Sequence, residues 1–307
     1  MAASDMEQFG EAFSQCITKA LLDAPFTNLY GPLYHFTNEA GLHGILRSRS
    51  LWASLAMALT DQGELRYALT RATQLIKSAR FLGDAAFLLD VVPHLDTNAS
   101  RTVEILGLKT YVTSFRTNTD ARDHWNTYGM KGTGFALAFN PKSLVIPGTL
   151  LLPVLYEPDE QDKLLREFIE SGENLFRQLS AQCPAEMMPR LRECALHWIA
   201  LGVWTLAPLI KEYAFRNEGE WRLIVIEPKH VVVNFGPGIS TAVHSRSSEI
   251  GDIPYKVIEY GALPIVGIEL GAHALPAVTD PVVAQLLSSA TGGSVVPITR
   301  SQLFVDS

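Results

Sequence analysis

The spacing of apolar residues predicts an amphipathic helix at the start of the chain. Apolar side chains recur every fourth position from Phe9 to Leu21, and Ser4 with Glu7 three residues later forms a capping-box pattern ahead of them. Pro25 then ends the periodic run. Residues 1–32 are therefore predicted to form an N-terminal helical segment.

After residue 32 the pattern changes to short β-branched and aromatic runs that alternate with helical periodicity. Gly, Asn and Pro residues separate many of these runs, as is typical of turns. The predicted strands cover residues 33–37, 51–54, 109–116, 135–139, 150–156, 221–226, 231–233, 256–259, 264–270 and 295–298. One predicted helix starts at Asn38, and the others cover residues 61–81, 84–92, 120–128 and 280–290.

The segment 157–206 is charged, rich in leucine and helical in period, with a break at Cys183 and Pro184. No linker rich in Gly, Ser or Pro brackets it, so we expect an inserted helical hairpin rather than a second domain. The prediction is an α+β fold, in which residues 33–307 form one domain with a split, mixed or antiparallel β core flanked by helices.

Composition agrees with a large core and restricts the partners. Of the 307 residues 47% are apolar and 19% are charged, where folded proteins average about a quarter charged. Lysine and arginine number 25 against 32 acidic residues, a net charge of −7. This balance argues against bulk binding to nucleic acid or to an anionic membrane, although one local basic groove is still allowed.

Cysteine usage and hydropathy predict a cytoplasmic location. Cys16, Cys183 and Cys194 are odd in number and widely spaced, which favours reduced, packed thiols over disulfides. The first residues lack the pattern of a secretory signal, and the most apolar stretch, 198–210, is too short to span a membrane. No membrane partner is expected.

Common cofactor and metal motifs do not occur in the sequence. There is no P-loop, no G-x-G-x-x-G after a strand, no H-E-x-x-H and no paired C-x-x-C. Cys194 and His197 have the spacing of two zinc ligands, but they lie on an apolar helical face, and we interpret them as packing residues. No metal site is predicted.

Four fragments place polar groups within β-prone or aromatic runs, where burial without a partner costs about 1–3 kcal/mol. They are YHFT at 34–37, VTSF at 112–115, WNTYG at 125–129 and EGEWR at 218–222. We therefore interpret them as parts of one functional cleft.

These fragments resemble a bacterial family known as a domain of unknown function, over most of the chain from Tyr34 onward. That family is in turn similar, in the order of its motifs, to ADP-ribosyltransferases, a class that includes toxins. The resemblance implies an ADP-ribosyltransferase-like fold, NAD as co-substrate, and a macromolecular or nucleotide acceptor. It also implies a role as a toxin or a bacterial defence effector.

Carried over by position, the resemblance implies His35 as the first-strand residue, Ser114 as the second-strand hydroxyl and Glu220 as the catalytic carboxylate. Glu220 would stabilise the positive charge that develops when the nicotinamide–ribose bond breaks. Glu218 would activate the acceptor as a base. His35 would donate a hydrogen bond to an adenosine-ribose hydroxyl, and Ser114 would hold Glu220.

Four further residues complete the implied NAD-binding set: Thr37, Trp125, Tyr128 and Arg222. Trp125 or Tyr128 would stack on nicotinamide. Purely structural interpretations remain open: His35 and Trp125 as core residues, and Arg222 as the partner of a buried carboxylate. Asp61 and Glu64 are interpreted as residues that cap and solvate a helix.

Two alternatives to transfer also remain open. One is an NAD glycohydrolase on the same fold, in which water replaces the acceptor. The other is a catalytically inactive module of a bacterial defence system that binds a nucleotide or a partner. His35, Ser114 and Glu220 are expected to converge in one cleft, with Trp125 or Tyr128 on its wall. The site as assigned requires His35 and Glu220 to lie on the same face of the sheet and fails if they lie on opposite faces.

Overall fold

A computed structural model gives the fold of the chain. It describes residues 15, 29, 31–59, 62–78, 85–95, 108–228, 238–248, 251–274 and 281–303. The strand predicted at 231–233 lies outside the described residues. So does the helix predicted within residues 1–32, of which only residues 15, 29, 31 and 32 are described. The division into an N-terminal segment and one domain therefore stays a prediction.

The described strands form one mixed sheet. Their bounds are β1 Leu33–Thr37, β2 Ser50–Leu55, β3 Leu108–Arg116, β4 Phe135–Phe139, β5 Thr149–Pro153, β6 Glu220–Pro228, β7 His244–Ser248, β8 Gly251–Glu259, β9 Ile265–Leu270 and β10 Ile298–Arg300. The path through the sheet is β10-β9-β4-β1-β3-β2-β8-β7, and β6 lies between β3 and β5. Strands β9 and β10 are parallel, whereas the other described pairs are antiparallel.

The sheet splits at β3. One edge of this strand pairs with β6 along its whole length, from Leu108 to Arg116. The other edge pairs with β1 only at Arg116, and with β2 only at Tyr111 and Val112. Residues 113–115 therefore have no ladder partner in β1 or β2, and a gap opens between those two strands.

Helices cover both faces of the sheet. Their bounds are α1 Glu39–Ser48, α2 Gln62–Lys77, α3 Ala85–Leu89, α4 Arg122–Thr127, α5 Pro141–Leu144, α6 Pro158–Ser180, α7 Met188–Leu206 and α8 Pro281–Ala290. The core on one face contains Val112 and Ile224 with residues of α2, α3, α6 and α7. The core on the other face contains Tyr111 and Phe115 with residues of α1 and α8.

Helices α6 and α7 lie between β5 and β6 in the chain, at the position of the predicted inserted hairpin. They pack so closely that a Cβ added to Gly202 of α7 would lie 1.9 Å from the Phe168 ring of α6. A 3-10 turn, Ala185–Met187, joins the two helices next to Pro184. Tyr67 and Gln161 connect α2 to α6 through a 3.0 Å hydrogen bond. The hairpin is thus part of the main core.

The α+β class and most elements agree with the sequence prediction. Strand 135–139 has the predicted bounds, and Asn38 caps α1 by accepting a hydrogen bond from the Gly41 amide. Differences occur at polar or short elements: the helix predicted at 120–128 covers only Arg122–Thr127, β8 begins at Gly251 rather than at residue 256, the last strand lies at 298–300, and the exposed strand β7 was not predicted. None of the described helices is both long and apolar enough to cross a membrane.

Candidate functional site

A cavity of about 1120 Å³ lies at the split of the sheet. It is bordered by β1 and β2 on either side of the gap, by β3 and the start of β6, and by the loops after α4 and α7. The residues of the sequence-predicted set that line it are His35, Thr37, Ser114, Tyr128, Glu218, Glu220 and Arg222.

The cavity wall is built around a cross-strand ion pair. Arg116 and Glu220 are directly opposite each other in the β3–β6 ladder, and Ser114 is opposite Arg222. Because opposed residues of antiparallel strands project to one face, the ladder brings these side chains together. The Nη1 atom of Arg116 lies 3.1 Å from Oε2 of Glu220.

Arg222 binds the same carboxylate from its own strand. Its Nε lies 2.8 Å from Oε1 of Glu220 and its Nη2 lies 3.1 Å from Oε2. Nη2 also contacts Glu64, and Nη1 donates a hydrogen bond to the carbonyl oxygen of Pro208. All three nitrogens of the guanidinium thus bind groups of the protein itself. This agrees with the interpretation of Arg222 as the partner of a buried carboxylate rather than as a direct NAD ligand.

The inserted hairpin supplies the third cation, Lys211, just after α7. Buried Gln161 of α6 donates hydrogen bonds to the carbonyl oxygens of Leu155 and Lys211, at 2.8 and 2.7 Å. The Lys211 amide also binds Leu155, which fixes this segment beside β5. The ammonium group of Lys211 lies 2.6 Å from Glu218 and 3.5 Å from Glu220.

Glu64 of α2 closes the cluster. Its carboxylate lies 2.5 Å from the Lys211 ammonium and 2.8 Å from Nη2 of Arg222. The interpretation of Glu64 as a helix-solvating residue is therefore wrong. Arg116, Lys211 and Arg222 face Glu64, Glu218 and Glu220, and we call these six residues the ion cluster.

Glu218 reaches the cluster from a turn rather than from a strand. It ends the 3-10 turn Tyr213–Glu218, and Gly219 follows with a φ of 51°. A Cβ at Gly219 would lie 2.5 Å from Oγ1 of Thr117, so this position requires glycine both for space and for backbone conformation. The two glutamates line one cavity, as predicted, and it is this turn that brings Glu218 there.

Burial and charge set the protonation states in the cluster. Glu220 is only 2% exposed, and burial alone would raise its pKa. Arg222 and Arg116 outweigh that effect, so the pKa of Glu220 lies far below its usual range. Burial lowers the pKa of Lys211, but Glu220 and Glu64 raise it further, so it lies above its usual range. All three cations stay charged at neutral pH.

His35 borders the cavity from the opposite face of the sheet. Tyr34 is opposite Arg116 in the β1–β3 pair, so Tyr34 shares the face of Glu220 and His35 does not. The His35 ring instead lies near Phe115 in the second core, at a centroid distance of 5.7 Å. His35 and Glu220 line the same cavity, as expected. The expectation of one face is wrong, because sheet register determines the direction of each side chain, so the site with His35 and Glu220 on one face is not formed.

The His35 side chain closes the gap in the ladder. Its Nδ1 lies 3.0 Å from the carbonyl oxygen of Ser114, one of the backbone groups that neither β1 nor β2 pairs. Burial lowers the pKa of His35 more than this bond raises it, so the ring is neutral at pH 7. Because Nδ1 must carry the proton to donate to a carbonyl, Nε2 is an acceptor. The expected donation to a ribose hydroxyl is therefore reversed: His35 would accept.

Ser114 and Thr37 line the cavity beside this gap. The oxygens of Glu220 are held by Arg222, Arg116 and Lys211 rather than by the Ser114 hydroxyl. The predicted role of Ser114 in positioning Glu220 is therefore filled by cations, and Ser114 contributes its backbone carbonyl to His35.

Trp125 is a core residue. Its side chain is 0% exposed, its Nε1 donates a 2.9 Å hydrogen bond to the Thr119 carbonyl, and its ring packs edge-on against Phe36. It does not line the cavity. Stacking of Trp125 on nicotinamide would require it to leave this position, so the structural interpretation fits.

Tyr128 is the aromatic side chain of this pair that faces the cavity. It is 39% exposed, and the Arg116 guanidinium lies 4.6 Å from its ring centroid. Its hydroxyl lies 3.5 Å from Oε1 of Glu218. Burial raises the pKa of Tyr128 more than Arg116 lowers it, so the phenol is neutral and can donate.

Four site residues were absent from the sequence-predicted set: Glu64, Arg116, His124 and Lys211. Arg116 at the end of a strand with two buried faces, and Lys211 directly after an apolar run, each carry a charge at a position typical of the core. That signal would have found both cations. His124 also lines the cavity, and burial and the charge of Arg116 lower its pKa, against a hydrogen bond to the Asn118 backbone that raises it.

The ion cluster balances three cations against three carboxylates. Each of the three cations contacts two or more carboxylates, and Glu218 at 17% side-chain exposure is the most accessible of the six charged groups. Among the described residues, no group of three or more His, Cys, Asp or Glu side chains has the arrangement of a metal site.

Comparison with known proteins finds a similarity that covers part of this site. The sequence profile of a protein family of unknown function, DUF2971, matches residues 124–223, about a third of the chain. The matched region extends from α4 to β6 and contains Tyr128, Lys211, Glu218, Glu220 and Arg222. No curated protein and no solved structure matches the chain. The expected likeness to a domain of unknown function is confirmed over these residues.

Proposed function

We propose that the cavity binds NAD and that the protein is an ADP-ribosyltransferase. The observation that carries this proposal is the cavity at the split of the sheet, which is lined by Ser114 of β3 and by the Glu218–Glu220 pair and which first-strand His35 reaches from the opposite face. These are the residue types, in the chain order, that the resemblance to ADP-ribosyltransferases implies.

The size of the cavity supports a dinucleotide. Small-molecule sites commonly measure about 300–1,000 Å³, and this one measures about 1120 Å³. Its lining combines apolar residues of β1 and β2 with the ion cluster, so it offers both ring contacts and charged groups to one ligand.

Arg116 and Lys211 are the proposed diphosphate ligands. Both now neutralise glutamates, and a diphosphate would compete with Glu218 for them, since Glu218 is the most exposed carboxylate of the cluster. Phosphate and guanidinium form strong, bidentate hydrogen bonds. Binding would thus release Glu218 from its two cations and leave Glu220 paired with Arg222.

This exchange supplies the carboxylates that the reaction needs. In transfer, the bond from the anomeric carbon to the nicotinamide nitrogen breaks and nicotinamide leaves with the electron pair. Glu220, relieved of two of its three cations, stabilises the positive charge on the ribose. Glu218, once released, takes the proton of the attacking acceptor group. Tyr128 offers its exposed ring as a stacking surface, and His35 Nε2 accepts a hydrogen bond from a ribose hydroxyl.

The test is release of nicotinamide from NAD, followed by chromatography, with the wild-type protein and three variants. Glu218→Gln and Glu220→Gln are expected to reduce release at least about 100-fold, the scale of general base and electrostatic contributions. Glu212→Gln, an exposed residue of the same loop, is the matched control and should retain full activity. Unchanged release in both folded site variants would overturn the proposal.

A nucleotide-binding module without catalysis is the second candidate. The observation that favours it is that both oxygens of Glu220 contact cations, which cancels the charge that would stabilise the ribose cation. Calorimetry separates the two functions: NAD binding with no nicotinamide release supports the module. Free ADP-ribose as the sole product, with no modified protein, nucleic acid or small molecule in cell extracts, supports an NAD glycohydrolase instead.

A further inference from the structure

Three aromatic rings form a ladder across β2, β8 and β7. The Trp52 ring stacks on Tyr255 at a centroid distance of 4.2 Å and an interplanar angle of 19°. Tyr255 stacks in turn on His244, at 5.5 Å and 26°. The proposed function uses none of these side chains.

The ladder lies on the same face of the sheet as the ion cluster. Ser54 is opposite both Val112 of β3 and Tyr255 of β8. Val112 and Arg116 are four residues apart on β3 and Trp52 is two residues from Ser54, so strand alternation places all of them on one face. A ligand on Trp52 would therefore lie on the side of the sheet that carries Glu220.

Trp52 is the end of the ladder that faces the cavity. It is 47% exposed and lines the cavity, whereas Tyr255, between the other two rings, is buried. Tyr255 covers one face of the indole and fixes its orientation, which leaves the other face as a flat, preorganised surface. Such a surface binds planar ligands at a low cost in side-chain entropy.

A cation and hydroxyl groups surround this surface. Nη2 of Arg246 on β7 lies 3.4 Å from the Ser54 hydroxyl, and Ser50, Ser54 and Arg246 all line the cavity next to Trp52. An aromatic ring that stacks a base, beside a cation that contacts the backbone phosphate, is how proteins bind unpaired nucleotides.

We propose that Trp52 and Arg246 form a binding site for an unpaired nucleobase and its phosphate. The net charge of −7 fits a site for one or two nucleotides rather than a long basic tract. Where the cavity also holds NAD, as proposed above, the base lies beside it as the acceptor; base binding itself does not depend on that function.

Fluorescence and anisotropy test this site. The probes are AMP, labelled single-stranded DNA and RNA of one sequence, and the corresponding duplexes. Single strands are expected to quench tryptophan fluorescence and to bind Trp52→Ala at least about tenfold more weakly than wild type. Trp52→Phe should keep most of the affinity for single strands. Arg246→Gln should reduce both this affinity and its dependence on salt concentration. Trp198→Phe, which changes a half-buried tryptophan outside the cavity, is the matched control.

The outcomes separate the sources of the base and the two proposals. Quenching by AMP as well as by oligonucleotides identifies free nucleotides as ligands, and quenching by single strands alone identifies nucleic acid; both support the site. Duplex binding equal to single-strand binding, unchanged affinity in a folded Trp52→Ala, or quenching by NAD alone overturns it. Oligonucleotide binding without nicotinamide release would overturn the proposed transferase activity and support the base-binding site. Nicotinamide release without base binding would support the activity and overturn the base-binding site.

Discussion

Arg116 and Glu220 are directly opposite each other at the ends of β3 and β6, with Nη1 and Oε2 3.1 Å apart and both side chains almost fully buried. A buried pair of this kind is stable only while each charge keeps its partners. Arg222 and Lys211 share the same carboxylate, so the ion cluster behaves as one unit for both stability and ligand binding.

Removing the charge of Glu220 should destabilise the fold. Glu220→Gln leaves Arg116 and Arg222 with less compensation in a buried site, and breaking such pairs typically costs about 3–5 kcal/mol. Urea unfolding of this variant and of the exposed control Glu212→Gln measures the difference. A loss no larger than that of the control would show that the cluster is not a buried, coupled unit.

Acid should destabilise the protein through Glu220. Its pKa is far below 4.5 in the folded state because Arg222 and Arg116 stabilise the carboxylate against the effect of burial. The unfolded chain binds a proton near pH 4.5 while the folded chain does not, so the free energy of unfolding should fall as the pH drops below about 4.5. Unfolding midpoints measured between pH 6 and pH 3 should fall less steeply in Glu220→Gln. Equal slopes would contradict the depressed pKa.

His35 should contribute a second, less acidic transition. Burial lowers its pKa below the ordinary value of 6.5, so the unfolded chain takes up a proton at pH values where the folded chain remains neutral. The free energy of unfolding should therefore decrease as the pH falls below about 6.5. His35→Asn keeps an amide donor for the Ser114 carbonyl but does not titrate, and it should flatten the curve between pH 7 and pH 5.5. His244→Asn on exposed β7 is the control.

Two helical glycines, one inside the hairpin contact and one exposed on α1, should respond in opposite ways to substitution by alanine. Gly202→Ala would place a methyl group against the Phe168 ring and should cost about 1–3 kcal/mol, the usual effect of overpacking. Gly44→Ala, in the exposed middle of α1 with no atom within 4 Å of the new Cβ, should stabilise by about 1 kcal/mol. Thermal unfolding of both variants provides the comparison. Equal tolerance at both positions would contradict the close contact of α6 with α7.

The elements that were predicted well from the sequence have a strong hydrophobic pattern, either a continuous apolar run or an apolar helical face. Strand 135–139 is apolar throughout and buried, and the α6–α7 hairpin has long leucine-rich faces. Strand β7 was not predicted because its sequence, HSRSS, is polar and has neither hydrophobic alternation nor residues of high β propensity. The strand lies at an exposed edge of the sheet, where neither is required.

The sequence predicted that Glu218 and Glu220 lie in one cleft, but it did not predict which charged groups they contact. Glu218 and Glu220 do converge, yet Glu64 and Lys211 join them from helix α2 and from the end of the hairpin, 156 and 9 residues away from Glu220 respectively. No local pattern encodes a contact across the 156 residues between Glu64 and Glu220, and the contact of Lys211 with the glutamates depends on how the hairpin packs against β5. The face on which His35 projects was likewise not predictable, because the single residue pair Tyr34–Arg116 sets the register of β1 on β3.

A crystal structure of the protein soaked with NAD would show whether the cavity at the split of the sheet binds this dinucleotide. We expect density in the cavity, with the diphosphate on Arg116 and Lys211 and with Glu218 displaced from both. A fully soaked crystal in which the ion cluster is unchanged and the cavity holds no nucleotide would contradict it.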